Sequence, residues 1–444
     1  MIGLISYLAI VGSLLLALWK YPAVALAGVL CMFGLEQWGQ ATHPFFAQNQ
    51  TFTNYAVGGI LLLALTFKLL KGQNLFANYT AAGWLVLGLF SYTFVTAIWA
   101  PRADLSLNVL LSRWPYVFTI VVLTPVIISS RNDLQTSFKA FILTGSLLTL
   151  LLLIFVPWEA RTIVLEYGRG NPLAVSGMAG MVALSAILAD PWPSSRIWKI
   201  TKWIVAALCV ILVIRSGSRG QLLGLICLSA LCWPISRRMK DVKQFVFWIA
   251  LVLFLTIITT WALQEFWAKQ ERYYAGGNRW SEQAMEGALS GRFDQGLYLV
   301  RLWFNSPETV VFGLGNSASY DPRILGIYPH FVPLEILAEE GLIGFAIFLA
   351  ILYVAARNAL QCSRLVRLDP KERSIFAALL AMFLYTLLLA FKQGSLLGNL
   401  EPFMFAIILG KYAKLCLSDT SQVYTTEFAE ESSPQTFGKY PVLR

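Results

Sequence analysis

The 444-residue chain contains two histidines, His43 and His330. His330 follows Pro329 and precedes Phe-Val-Pro-Leu-Glu-Ile-Leu-Ala-Glu-Glu-Gly. Proline suits the first turn of a helix, where its missing N–H is no loss, so Pro333 places His330 just ahead of a helix start. The positive end of the helix dipole lowers the pKa of such an imidazole and keeps it neutral, ready to take a proton near neutral pH. A histidine that only caps the loop fits the same position. His43, in Ala-Thr-His-Pro, reads as structural. Glu335 and Glu339 are four residues apart and share one helical face. Either would orient His330 or bind a hydroxyl, and Glu335 equally complements the dipole at the helix start.

A second group of candidates is basic. Arg215 and Arg219 bracket Arg-Ser-Gly-Ser-Arg-Gly at the junction of two apolar runs. Arg161 and Arg169 (in Glu-Tyr-Gly-Arg-Gly-Asn-Pro), Arg279, and Arg292 (in Ser-Gly-Arg-Phe) fall on the same side of the topology derived below. Arginine stays charged at any relevant pH, and its planar fork binds phosphate in bidentate fashion. A single arginine near the interface also snorkels to lipid phosphates. For Arg215 and Arg219 a phosphate-binding cluster is the better reading, because the flanking glycines and serines let a ligand approach the backbone. Gly313, Gly315 and Asn316, in Phe-Gly-Leu-Gly-Asn, read as a turn rather than a nucleotide loop.

Other chemistries lack their residues. No Asp-x-Asp, no His-Glu-x-x-His and no cysteine pair with metal-ligand spacing is present, so neither a metal nor another cofactor is implied. There is no Walker loop. Charged positions inside apolar runs are few, Lys68 and Lys139 lying near their ends, whereas ion-coupled transporters use intramembrane carboxylates.

The elements that hold these residues must be membrane helices. Hydrophobic residues make up 57% of the chain and charged residues 13%, about half the share usual for a soluble domain. The mean hydropathy is +0.64. These figures exclude a soluble globule, a disordered chain, a coiled coil and a disulfide scaffold. The six cysteines (Cys31, Cys209, Cys227, Cys232, Cys362 and Cys416) suggest no disulfide framework. The net charge of +10 reads as topology and anionic ligands rather than nucleic acid.

The fold expected is an all-α polytopic bundle. Apolar runs occupy 2–19, 22–38, 55–70, 80–99, 114–129, 138–156, 172–189, 199–214, 220–235, 244–264, 341–358, 373–391 and 402–416, each near the length that crosses a bilayer. The first two are joined only by Lys20-Tyr21-Pro22 and form two crossings or one broken element, giving 12 or 13 spans. Met1–Trp19 reads as a first membrane helix rather than a removed signal. Lys and Arg concentrate in 190–202, 236–243 and 357–373, which fall on one side, the cytoplasmic side by the positive-inside rule. The segments 39–54 and 265–329 then face outward.

The chain therefore divides into an N-terminal bundle (1–264), an outer loop region (265–329), a catalytic helix with C-terminal spans (330–417) and a disordered cytoplasmic tail (418–444). Within the outer region, Arg292–Phe304 mixes Phe293, Leu297, Val300 and Trp303 with Asp294 and Arg301, as an interfacial amphipathic helix would. Trp267, Tyr273, Tyr274 and Trp280 suit the headgroup zone.

These segments together resemble the O-antigen ligase and polymerase superfamily of bacterial envelope proteins. The resemblance rests on Arg-Ser-Gly-Ser-Arg-Gly, then Ser-Gly-Arg-Phe and Phe-Gly-Leu-Gly-Asn. Most specific is the run from His330 to Gly344, which resembles the family pattern at His330, Leu334, Glu339, Gly341 and Gly344. Phe331 stands where many relatives have Asn. The close match covers roughly 210–350.

The resemblance implies a metal-independent, inverting glycosyltransferase of the bacterial inner membrane with a periplasmic active site. Its donor would be polysaccharide on undecaprenyl diphosphate, its acceptor lipid A–core, and membrane lipids would surround both. Arg219, with Arg215 and Arg292, would hold the diphosphate, and Arg169, from the basic group above, is a further substrate-binding candidate. His330 would act as general base, and Glu339 would support it or bind sugar. A polymerase of the same superfamily, using a second lipid-linked repeat as acceptor, is the nearest alternative. A non-catalytic flippase for lipid-linked sugars and an assembly factor are the others.

Overall fold

In a computed structural model of the chain, the apolar runs form long helices, with two two-residue strands at Trp158–Glu159 and Thr162–Ile163. The structure describes residues 2–75, 79–159, 170–237 and 294–431, with isolated positions in 162–165 and 243–257. The run 244–264 thus lies largely outside the described residues. Among those described, nine helices are long and apolar enough to cross a membrane, and Gly3–Leu18 and Pro172–Leu188 are shorter apolar helices. The chain is a multi-pass membrane protein.

The first helix α1 (Ile2–Leu18) and the second α2 (Ala25–Thr42) are separate. Gly3 packs on Thr42 and Gly28 on Leu14, and Trp38 Nε1 donates to Ser6 Oγ at 3.1 Å. That pairing is antiparallel, so the two runs joined by Lys20-Tyr21-Pro22 form a hairpin. Next come α3 (Phe52–Leu70), α4 (Ala81–Thr96) and α5 (Ala103–Tyr116), the last continuing through a π-helical stretch, Val117–Leu123. After them follow α6 (Arg131–Ile154), α7 (Pro172–Leu188), α8 (Arg196–Arg215) and α9 (Arg219–Ser236). The C-terminal part contains α10 (Pro307–Phe312), α11 (Val332–Glu339), α12 (Gly341–Leu365), α13 (Pro370–Ala390) and α14 (Glu401–Glu431). This last helix runs well past the Ser418 boundary at which a disordered tail was expected to begin; residues 432–444 lie outside the described residues.

Lipid is as apolar as the side chains, so helices in a bilayer associate through close packing at small residues. Here α2, α7, α13 and α14 form the centre. Gly34 of α2 faces Met178 of α7, Gly145 of α6 faces Val182 of α7, and Gly180 of α7 and Gly224 of α9 both face Tyr385 of α13. The amphipathic segment expected at Arg292–Phe304 is helical over 294–303. It lays Gly296 against Leu334 of α11 and buries Leu299, leaving Leu297 and Tyr298 exposed.

The two ends of the bundle differ in chemistry. At one end the basic segments meet: Arg237 pairs with Asp190 at 3.7 Å, Arg373 Nε donates to Ser236 O, and Asp190 N donates to Ser374 Oγ. Lys68 is buried and donates to Asp133 at 2.7 Å. The opposite end carries the loops with His330, Arg219 and the head of α7.

Candidate functional site

Local sequence sets the base in place. Pro333 lies in the first turn of α11 and Phe331 is its N-cap, so His330 stands one residue before the cap. His330 has a φ of 60°, in the left-handed region that costs a non-glycine residue about 1–2 kcal/mol. Its ring meets Tyr328 edge-on at 4.3 Å. The imidazole is thereby turned out of the helix line and into a cavity, which Tyr328 and His330 both line.

The turn between α8 and α9 is built from its small residues. Gly217 takes a φ of 65°. Ser176 of α7 and Ser216 both donate to Ser218 Oγ, each at 2.9 Å. These three buried hydroxyls pin the turn to α7. Arg219 emerges as the first residue of α9 and lines the same cavity as His330. Arg215 does not line it. As the last residue of α8 it lies on the far side of the Gly217 reversal, with its guanidinium 5.5 Å from the Trp158 ring. Arg219 is thus brought to His330, while Arg215 is stacked elsewhere. Arg169 and Arg292, like Arg161 and Arg279, lie outside the described residues.

The cavity has a volume of about 680 Å³, within the range of about 300–1,000 Å³ usual for ligand sites. Its mouth is polar, with Asn171, Arg219, His330, Lys392, Gln393 and Glu401. Its depth is apolar, with Val29, Leu30 and Phe33 of α2, Met178 and Met181 of α7, and Met404 of α14. Gln37 of α2 closes one side by accepting from Asn171 N at 2.7 Å. A polar mouth over an apolar interior suits an amphiphile with a charged head.

Glu339 is placed differently from the role the resemblance implies. It is buried, and its two oxygens accept from the backbone N–H groups of Ser317 (2.7 Å) and Ser319 (2.9 Å). Ser317 has a φ of 58°, so the carboxylate fixes a strained turn; it does not line the cavity. The neighbouring Glu340 accepts from Thr96 Oγ1 at 2.6 Å and from Asn316 Nδ2 at 3.3 Å. Glu335 accepts from Leu396 N at 2.8 Å. Burial pushes all three carboxyls up, Glu339 and Glu340 to about 7 each.

The Phe-Gly-Leu-Gly-Asn and Glu-Glu-Gly segments meet backbone to backbone. A Cβ on Gly313 would lie 2.1 Å from Glu339 O, and one on Gly341 would lie 2.4 Å from Gly313 N. These glycines form the turn expected of them and let two chain segments touch. His43 accepts from Phe45 N at 3.2 Å and caps a short helix, as expected of a structural histidine.

Lys392 is the cavity residue that the sequence reading passed over. It sits in the loop after α13, and its side chain lies across Gly220: a Cβ there would come within 2.2 Å of Lys392 Nζ. Its signal in the sequence is a lysine in Lys-Gln-Gly-Ser at the end of the bundle away from the basic segments, where, as for the outer arginines, positive charge is disfavoured. Among the described residues no three His, Cys, Asp or Glu side chains are grouped to hold a metal ion. No family model matches this chain, and no curated protein matches it.

Proposed function

We propose that this protein is a lipid-linked glycan transferase of the O-antigen ligase kind, metal-independent and inverting. In this reading it crosses a bacterial inner membrane 12 or 13 times and opens its cavity to the periplasm, where polysaccharide on undecaprenyl diphosphate meets lipid A–core. The observation that carries the reading is the shared cavity, in which His330 and Arg219 face one space with a polar mouth and an apolar interior. The positive-inside rule supports the orientation, since the end with Arg237 and Arg373 is opposite to the cavity.

The chemistry follows from the groups present. The acceptor hydroxyl oxygen attacks the anomeric carbon while His330 takes its proton. The bond from that carbon to the diphosphate oxygen breaks, and the electron pair leaves with the lipid diphosphate. Arg219 holds the charge that develops there by charge-assisted hydrogen bonds. Attack opposite to the leaving group inverts the anomeric centre. The prenyl chain lies among the apolar residues of α2, α7 and α14 while the glycan projects outward.

The test is transfer by purified protein given lipid-linked polysaccharide with either lipid A–core or more donor. Product on lipid A–core is expected; elongated donor alone would make it a polymerase. His330→Ala should lower turnover by about 10²–10⁴-fold with the protein still folded. Transfer unchanged in that variant would remove the general base and with it this reading.

A further inference from the structure

Positive charge is crowded at the head of α9. The N-terminus of an 18-residue helix carries a partial positive charge of its own. Arg219 is its first residue. The Lys392 ammonium lies over its second residue, Gly220. Cations are favoured at helix C-termini and disfavoured here. Glu401 is the one carboxylate among the described residues lining the same cavity. The N-cap residue, Ser218, makes no side-chain hydrogen bond to the helix amides, because its hydroxyl is engaged with Ser176 and Ser216. The first amides of α9 are therefore left uncapped by that side chain, an arrangement that suits an anion.

A second, independent observation lies one turn deeper. Tyr385 lines the cavity and is fully buried, and its hydroxyl, which lies against Gly180 of α7, has no hydrogen-bond partner among the described residues. A buried donor left unmade is costly, so a polar ligand atom is its natural complement. Gly224, four residues after Gly220 and on the same face of α9, packs on the Tyr385 ring. Lys392 and Tyr385 are thus stacked along one wall of the cavity.

We propose that Lys392 is the second cation of a diphosphate site at the head of α9, with the Tyr385 hydroxyl as its deeper donor. The inference rests on the lipid-donor reading above and names the residues that would hold the donor's head. Lys392 is held in position by its own loop. Gln221 Nε2 donates to Gln393 Oε1 at 2.9 Å, and Asn399 Nδ2 donates to Gln393 O and Ser395 O. Glu335 of α11 accepts from Leu396 N in the same loop. The cation and the base are therefore mounted on one connected unit, with Glu335 as a positioning residue.

The experiment measures binding of farnesyl diphosphate, farnesyl monophosphate and inorganic pyrophosphate to the full-length protein in nanodiscs. Wild type should bind the farnesyl diphosphate most tightly, which separates a lipid source from a free anion. Lys392→Gln should weaken that binding by about tenfold or more, Lys392→Arg by much less, and Tyr385→Phe by several-fold, through loss of charge-assisted and neutral hydrogen bonds. Gly220→Ala keeps the lysine but displaces its ammonium, and should weaken binding in the same direction even if Lys392→Gln folds poorly. Unchanged farnesyl diphosphate affinity in folded Lys392→Gln and Gly220→Ala would overturn the Lys392 site and leave the transferase reading standing. No binding to wild type would overturn both.

Discussion

Replacing Glu339 separates a scaffold from a catalyst. Its carboxylate accepts two buried N–H groups, from Ser317 and Ser319. Glu339→Ala leaves both without a partner, at about 1–3 kcal/mol each, or about 2–6 kcal/mol in all. Glu339→Gln keeps one oxygen acceptor and turns an NH₂ toward the other N–H, so about half that loss is expected. The side chain has also been pushed up to about 7 by burial, from an ordinary 4.5. The folded state therefore binds this proton more tightly than the unfolded state does, and the stability so gained is complete below about 4.5 and is lost as pH rises through about 7. Wild type should melt higher at pH 5 than at pH 8. Glu339→Gln should flatten that slope without abolishing it, because Glu340 is also pushed to about 7. The assay is thermal unfolding in detergent at both pH values, paired with transfer rate per folded molecule. A scaffold role predicts that the Gln variant, once folded, transfers within a few-fold of wild type. A loss of a hundredfold or more in a Gln variant as stable as wild type would refute the scaffold argument and return Glu339 to the reacting groups.

Substitutions at four positions test the geometry. His330→Gly and His330→Ala should both be inactive, but the glycine variant should be the more stable by about 1 kcal/mol, because the position is left-handed; equal stability would show that no strain is held there. Arg219→Ala should raise the donor KM by about tenfold or more, whereas Arg215→Ala should change it less than threefold because its guanidinium lies on Trp158; a titration of donor decides between them. Gly313→Ala should prevent accumulation of folded protein, since a Cβ at a φ of 83° would lie 2.1 Å from Glu339 O; normal yield by size-exclusion chromatography would contradict that contact.

What the sequence made legible was set by local rules. Hydropathy placed the helices because each needs an apolar run of membrane length. Pro333 placed His330 because proline is favoured in the first turn of a helix. What failed was direction in space. Arg215 and Arg219 are near in sequence, yet Gly217 at a φ of 65° reverses the chain between them, leaving Arg219 at the cavity and Arg215 on the Trp158 ring. Glu339 is one helical turn from Glu335, and spacing alone does not tell that its oxygens face the 317–319 turn instead of His330. Lys392 is distant from Arg219 in sequence and reaches Gly220 only through the packing of α13 on α9. The hairpin of α1 and α2 was undecided for a similar reason: a break at Pro22 is compatible with either a kink or a return.

The short helix α11 explains how one end of the bundle can hold both a base and cations. Two carboxyls on it and one just after it grip the surrounding chain: Glu335 the loop with Lys392, Glu339 the 317–319 turn, and Glu340, just past its C-terminal end, Thr96 at the end of α4 and Asn316 beside that turn. None of the three lines the cavity. Glu401 is the one carboxylate that does line it among the described residues, and further carboxylates facing it would compete with an anionic ligand for Arg219 and Lys392. Buried against backbone amides (Glu335 and Glu339) or against side-chain donors (Glu340) and pushed toward neutrality, the three hold the loops from outside the cavity. Loop order and ligand charge are thus handled by different groups. Moving one carboxylate into the cavity, for instance by Gln393→Glu, should reduce anion binding while leaving the three loop contacts intact, a result that farnesyl diphosphate affinity and melting temperature together would reveal.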